Sequence, residues 1–272
     1  MEIISIVLSG LLLVISPVGI VVDQVAEDAI RSRLTDVESL DVRVDNGPSF
    51  QILQGRVDRI RIAGRGIVPT PGLRIQLADF ETDPIDLDFN SLRRGQVVLD
   101  EALQGALHLE LSEEDINAFL QSPLFLQQLS EIKIGSLTRA QARERDRYQI
   151  NNPSVEFLAD NRIKISLELE DLVQEGTLFL EAESGLDITD GDRLTLVGPV
   201  LVVNGQPAPD RLVKTLLGNI NERLSLRQLE EQGVIARVIN LSIEENSLNL
   251  ALWVRVDPSV TDPSVAALSE DG

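Results

Sequence analysis

Residues 52–67 read ILQGRVDRIRIAGRGI, and this stretch limits the fold more than any other. Ile60 and Ile62 alternate with Arg59 and Arg61. A period of two puts the isoleucines on one face of an extended strand and the guanidiniums on the other, so the stretch reads as a half-buried strand. Gly55 ahead of it marks a bulge or bend, and Gly64 and Gly66 mark a twisted end or a close backbone approach. The same alternation returns along the chain. Leu73, Ile75 and Leu77 alternate with Arg74 and Gln76; Ile85, Leu87 and Phe89 with Asp86 and Asp88; Leu107, Leu109 and Leu111 with His108 and Glu110. Ile163, Ile165, Leu167 and Leu169 alternate with Lys164, Ser166 and Glu168, and a strand pair follows over 194–203. Ile239, Leu241 and Ile243 open a last hairpin that returns through Leu248, Leu250, Leu252, Val254 and Val256. Turn residues separate these runs: Asn46-Gly47-Pro48, Pro69-Thr70-Pro71-Gly72, Asp160-Asn161, Glu175-Gly176, Asp190-Gly191 and Glu245-Asn246. Short turns between alternating runs predict antiparallel meanders.

Helical patterning is confined to a few places. Residues 17–34 carry Val18, Val21, Val22, Val25, Ala29 and Ile30 on one stripe, opposite Asp23, Glu27, Asp28 and Arg31. Residues 207–224 place Leu212, Val213, Leu216, Leu217, Ile220 and Leu224 on a second stripe. Ser112 and Asp115 form a capping-box start, with Glu113 and Glu114 in the first turn where the helix dipole favours acids. Pro123 ends that helix or opens another through Leu129. The expected class is α+β: long antiparallel meander sheets packed on two amphipathic helices in an elongated domain. Residues 1–16 are a separate hydrophobic segment, 17–256 the domain, and 257–272 a disordered polar tail carrying DPSV twice. The charge-rich stretch RAQARERDR at 139–147 is the expected seam between two helix-plus-meander halves.

Residues 3–22 hold no charge and are long enough for a membrane span, but Gly10, Pro17 and Gly19 interrupt them. Glu2 replaces the basic start of a signal peptide, so anchor, signal and buried helix all stand as readings. The formal charge of -20 argues against nucleic acid as a partner, since that binding rests on Lys and Arg. Against this acidity, Arg56, Arg59, Arg61 and Arg65 form a basic island. They are either solvent-face residues paired with nearby acids or contacts for an anionic head group. No cysteine and one histidine leave no thiol nucleophile, disulfide frame, multi-His metal site or His-based triad. Asp79, Glu81, Asp83, Asp86 and Asp88 lack the glycine and closing glutamate of a calcium loop. No cofactor motif is present, and nothing in the sequence reads as an enzyme. The hydrophobes are mostly Leu, Ile and Val with only 3% aromatics, which suits an alkyl-lined groove better than a stacking site.

Two motifs carry a resemblance. Leu53 to Val68 match the pattern L-Q-G-x-V/I-D-x-V/I-x-I-x-G-x-G-L/I-V, and Leu111 to Asn117 match L-T/S-E-x-D-I/L-N. Together with residues 38–125, and more loosely on to about residue 256, the chain resembles the LmeA-like phospholipid-binding family of cyanobacteria and actinobacteria. The resemblance implies a membrane- or envelope-associated protein that binds phospholipid in an architecture akin to tubular lipid-binding domains, and it supplies no catalytic residues. On this reading Arg56, Arg59, Arg61 and Arg65 are the head-group candidates. Ile60, Ile62, Leu212, Leu216, Ile220, Leu250, Leu252 and Val254 are the candidates for lining acyl chains or the core. The expected place is the inner membrane or cell envelope, with the cytoplasmic side left open. The alternative is a membrane-anchored scaffold of the envelope with a closed core.

Overall fold

The computed structural model describes residues 27–28, 30–47, 54–93, 98–131, 148–173, 176–208 and 225–260. Antiparallel strands dominate them. In chain order they are β1 (Asp36–Asp45), β2 (Arg56–Val57), β3 (Arg59–Thr70), β4 (Leu73–Thr82), β5 (Ile85–Asp86), β6 (Leu103–Ser112), β7 (Tyr148–Leu158), β8 (Arg162–Asp171), β9 (Thr177–Thr189), β10 (Arg193–Val203), β11 (Gln206–Pro207), β12 (Val234–Glu244) and β13 (Ser247–Val256). Helices are short: α1 (Phe89–Leu92), α2 (Glu113–Leu120) and α3 (Pro123–Glu131). The described residues therefore form a mostly-β fold, more strand-rich than the α+β expectation. Long runs alternate aliphatic and charged residues, a pattern that suits a sheet with one wet face.

The chain divides into two compact units. The first takes the described residues up to Glu110, with Leu226–Asn240 and those from Asn249 onward; the second takes Leu111–Ser225 and Leu241–Leu248. The larger sheet has the order β1-β3-β4-β6-β13-β12, and the other has the order β11-β10-β9-β8-β7.

In the first unit the period-two pattern becomes a cross-strand row. Val42 pairs with Ile62, Ile62 with Phe80, and Phe80 with Leu107, all buried. Each such side chain contributes about 1.5–3 kcal/mol relative to exposure. Thr82 lies buried on this face, and its hydroxyl accepts the Ile60 N–H at 3.0 Å. The sheet then changes which face it buries. Past Leu40, Gly64 and Ala78 the buried row becomes Val37, Ile67 and Ile75, which lies on the opposite face. Leu77, expected inside with Leu73 and Ile75, is instead half-buried opposite Arg65, and Ala78 takes the buried place. β12 changes over in the same way. Val234, Ala236 and Val238 are buried, then Leu241 and Ile243, so Ile239 stands 67% exposed rather than on the buried face.

Several boundaries differ from the sequence reading. The first strand begins at Asp36 rather than Asp41, and Pro69 and Thr70 extend β3 so that the turn falls at Pro71-Gly72. Pro207 pairs with Val202 as part of β11 instead of starting a helix. Most of the helix expected over 17–34 lies outside the described residues, although residues 27–28 and 30–31 are helical and Ile30 is buried. Residues 1–22, the seam at 139–147, and Leu212, Leu216 and Ile220 lie outside the described residues. Of the expected tail, Pro258–Val260 form a 3-10 turn in which the Asp257 carboxylate accepts the Ser259 N–H and hydroxyl. Those two hydrogen bonds, the backbone one foremost, hold the Asp257 carboxyl below its ordinary pKa.

Candidate functional site

The arginine island lies in the first unit, on and beside β3. Arg59, Arg61 and Arg65 point away from the Ile60 and Ile62 face, and each meets a carboxylate on a neighbouring strand. Arg59 lies 2.9 Å from Glu81; Arg61 bridges Asp45 and Glu81 at 3.2 Å each; Arg65 reaches Asp79 at 2.6 Å. Arg56, on β2, meets Asp86 on β5 at 3.0 Å. Of the acidic run, Asp79, Glu81 and Asp86 are taken up by this pairing, and Asp88 caps α1 by accepting the Ser91 N–H at 2.6 Å. The four guanidiniums thus stitch exposed strands together, each pair adding about 0.2–1 kcal/mol. Among the described residues no cluster of acids or histidine is arranged to hold a metal.

Ile60, Ile62, Leu252 and Val254 are buried in the first unit's core, and Leu250 is half-buried. The glycines of the same motif are conformational requirements. Gly55 has φ +84°, and a Cβ there would run into the Leu87 carbonyl oxygen. Gly66 has φ +56°, with the Glu38 side chain filling the space a Cβ would need.

The second motif lies in the second unit and fastens α2 to an open sheet edge. Ser112 caps α2 by accepting the Asp115 N–H at 3.0 Å, and its hydroxyl donates to the Asp115 carboxylate at 2.6 Å. Asn117 uses its whole carboxamide: its amide donates to the Val155 carbonyl, and its oxygen accepts the Val155 N–H, both at 2.8 Å. Two residues along, the Glu113 carboxylate accepts the Phe157 N–H at 2.6 Å. These are outward-facing groups of the edge strand β7, and α2 satisfies them without a further strand. Asn161 does the same for β12, accepting the Ile243 N–H at 2.8 Å and donating to the Leu241 carbonyl at 3.4 Å. The sequence motif pointed to these residues as a helix start. Their strand partners lie 38 to 44 positions away, beyond the reach of local patterning. We predict that Asn117→Ala, which leaves both Val155 groups unpaired, costs about 2 kcal/mol in chemical denaturation, whereas Glu114→Ala costs under about 0.5 kcal/mol.

The five-stranded sheet of the second unit has one face rich in charge, on which Phe179 and Val200 are also exposed, and one aliphatic face. One face carries charge: Lys164 lies between Glu156 and Glu183 in the cross-strand row, and Ser166 lies between Ser154 and Glu181. The Glu156 carboxylate, 2.6 Å from the Lys164 ammonium, raises that group's pKa by hydrogen bond and charge. The other face is aliphatic in successive rows: Val155, Ile165, Ala182 and Leu201; Leu167, Leu180 and Val203; Ile150, Leu169 and Leu178. Apart from Ile165, the side chains of these rows are half-buried. Ile165, on a strand flanked on both sides, is 40% exposed. This aliphatic face, with Ile165 as the exposed member of its rows, was missed as a site by sequence reasoning. Its alternation was visible, but alternation does not tell a covered face from an uncovered one.

The model of the LmeA-like phospholipid-binding family matches residues 14–252. The chain belongs to that family. Neither curated proteins nor solved structures yield a match. The family match takes in the arginine strand, the α2 motif and the whole aliphatic face of the second unit. The family's description names a phospholipid, a ligand with long apolar chains. Of the surfaces described, the β7–β10 aliphatic face has the chemistry to meet such chains. Among the described residues no helix is long and apolar enough to cross a membrane.

Proposed function

We propose that this LmeA-like protein is a non-enzymatic phospholipid binder of the membrane or cell envelope, akin to tubular lipid-binding domains, and that the acyl chains lie against the aliphatic face of the β7–β10 sheet. The observation that carries the reading is Ile165, 40% exposed amid aliphatic neighbours on a strand interior to its sheet. An apolar face of this kind is favoured when something apolar covers it. Each methylene removed from water there contributes about 0.8 kcal/mol, so a two-chain lipid is a strongly held guest. The test is native mass spectrometry of the purified protein before and after delipidation. A copurifying phospholipid that rebinds after removal is the expected result; no copurifying lipid and no rebinding sinks the reading.

In this reading the arginine island acts chiefly in strand pairing, because each guanidinium already has a carboxylate within 3.2 Å. Replacing Arg59 and Arg61 together by Gln is expected to leave phospholipid occupancy unchanged and to lower stability by about 1–2 kcal/mol, the sum of a few exposed ion pairs. Loss of occupancy with the fold retained by circular dichroism would move the head-group contact back to these arginines.

A further inference from the structure

Two Asn-Gly pairs occur in the chain, Asn46-Gly47 and Asn204-Gly205. An asparagine before glycine is chemically vulnerable, because glycine has no side chain to keep its backbone nitrogen away from the neighbouring carboxamide. The surroundings of the two pairs differ.

The first pair follows β1 in the first unit, and Asp58 holds both of its residues. The Gly47 N–H donates to the Asp58 carboxylate at 2.8 Å, and the Asn46 carboxamide oxygen accepts the Asp58 N–H at 3.1 Å. The Asn46 amide group donates to the Arg56 carbonyl at 3.3 Å. Asp58 is the one acid between Leu53 and Val68, and it faces this turn while the neighbouring arginines pair with other carboxylates. The second pair joins β10 to β11. There the Asn204 carboxamide oxygen accepts the Phe179 N–H at 2.9 Å, and the Asn204 N–H donates to the Phe179 carbonyl at 2.9 Å. Those bonds tie Asn204 to β9, and among the described residues no carboxylate accepts the Gly205 N–H.

The first arrangement has the parts of a cyclisation. A peptide nitrogen is a poor nucleophile, its lone pair being delocalised into the carbonyl, until a base takes its proton. The Asp58 carboxylate is in place to take it. The Asp58 N–H lies where negative charge would collect on the Asn46 carboxamide oxygen.

We propose that Asn46 is a self-modifying site at which Asp58 drives ring closure onto Gly47. The Gly47 nitrogen forms a bond to the Asn46 side-chain carbonyl carbon as its proton passes to the Asp58 carboxylate and the carbonyl electron pair moves to the oxygen. That pair then returns, the bond from this carbon to the amide nitrogen breaks, and the nitrogen leaves as ammonia with the proton from Asp58. The product is a succinimide ring. Water opens it at either carbonyl, giving aspartate or isoaspartate with no change of oxidation state. Either product removes the amide donor from the Arg56 carbonyl and adds a negative charge close to the Asp58 carboxylate, at the foot of the arginine strand. The reaction needs no lipid.

The test is peptide mapping by mass spectrometry of the full-length protein aged at neutral pH, with fragmentation that tells isoaspartate from aspartate. Native Asn46 is expected to convert at least about tenfold faster than native Asn204, and at least about tenfold faster than Asn46 in denaturant, where Asp58 no longer holds the turn. Asp58→Asn keeps the backbone N–H and an oxygen for the Gly47 N–H but cannot take a proton. It is expected to slow conversion of Asn46 at least about tenfold and to leave Asn204 unchanged, with the fold checked by circular dichroism. If native Asn46 converts no faster than in denaturant, the hydrogen bonds shield the carboxamide and the proposal is overturned. An Asp58→Asn protein that folds and converts at the wild-type rate overturns it too. The native and denatured wild-type rates need no variant, so they decide the outcome even if Asp58→Asn fails to fold.

Discussion

Ile165→Asp is expected to lower phospholipid occupancy by at least about tenfold, because a carboxylate set against acyl chains loses its water without gaining a partner. The flanking residues in its cross-strand row are Val155 and Ala182, neither of which offers a charge or a side-chain hydrogen bond. The cost falls mainly on the bound state. In the lipid-free protein the site is open to water, so folding loses about 1 kcal/mol, the scale of strand preference for a β-branched residue over Asp. Ser166→Asn is the control. Ser166 lies one residue away on the charged face, between Ser154 and Glu181, and its replacement is expected to leave occupancy unchanged. Native mass spectrometry gives the bound fraction, and circular dichroism with thermal unfolding checks the fold. Full occupancy in the Ile165→Asp protein would place the acyl chains elsewhere.

Gly55→Ala is expected to be the most damaging single methyl group in the first unit. Two effects add. At φ +84° an L-residue is strained by about 1–2 kcal/mol, and the new Cβ meets the Leu87 carbonyl oxygen, which is backbone and cannot swing aside. The Leu87 N–H in turn donates to the Gly55 carbonyl at 2.7 Å, so moving either strand segment sacrifices that hydrogen bond. A loss of about 3 kcal/mol or more in denaturant unfolding follows. Gly47→Ala supplies the contrast, since nothing lies within 4 Å of a Cβ there and the expected change is under about 0.5 kcal/mol. Similar losses at the two positions would remove the conformational account of the first motif.

Much of this was readable in the residues themselves. The alternation around Ile60 and Ile62 set strand, face and burial correctly, and Ser112 marked its helix start to the residue. Asp160-Asn161 and Asp190-Gly191 announced hairpins, and all four residues adopt positive φ. What failed to show was tertiary. A strict period of two predicts one buried face per strand, but β1, β3, β4 and β12 each change faces partway. Leu77 and Ile239 were therefore placed inside, while Ala78 and Val238 hold the adjacent buried positions. The pairing of the basic island with Asp45, Asp79, Glu81 and Asp86 depends on strand register, which composition does not carry. The openness of the aliphatic face depends on what covers it, and no property of Ile165 alone distinguishes it from Ile62.

The carboxamides of Asn117 and Asn161 also bear on how the outer backbone groups of β7 and β12 are kept from pairing with another strand. A sheet with a bare edge is a growing end: another chain's strand can add, then another, each presenting a fresh edge to the next. A primary amide offers the same donor and acceptor as one peptide unit but has no onward backbone, so it occupies the register and stops there. Asn117 on β7 and Asn161 on β12 act as chain terminators in that sense. Deamidation of either side chain would turn its donor into an oxygen facing a carbonyl. Loss of either amide is thus expected to reopen a strand edge of this LmeA-like protein.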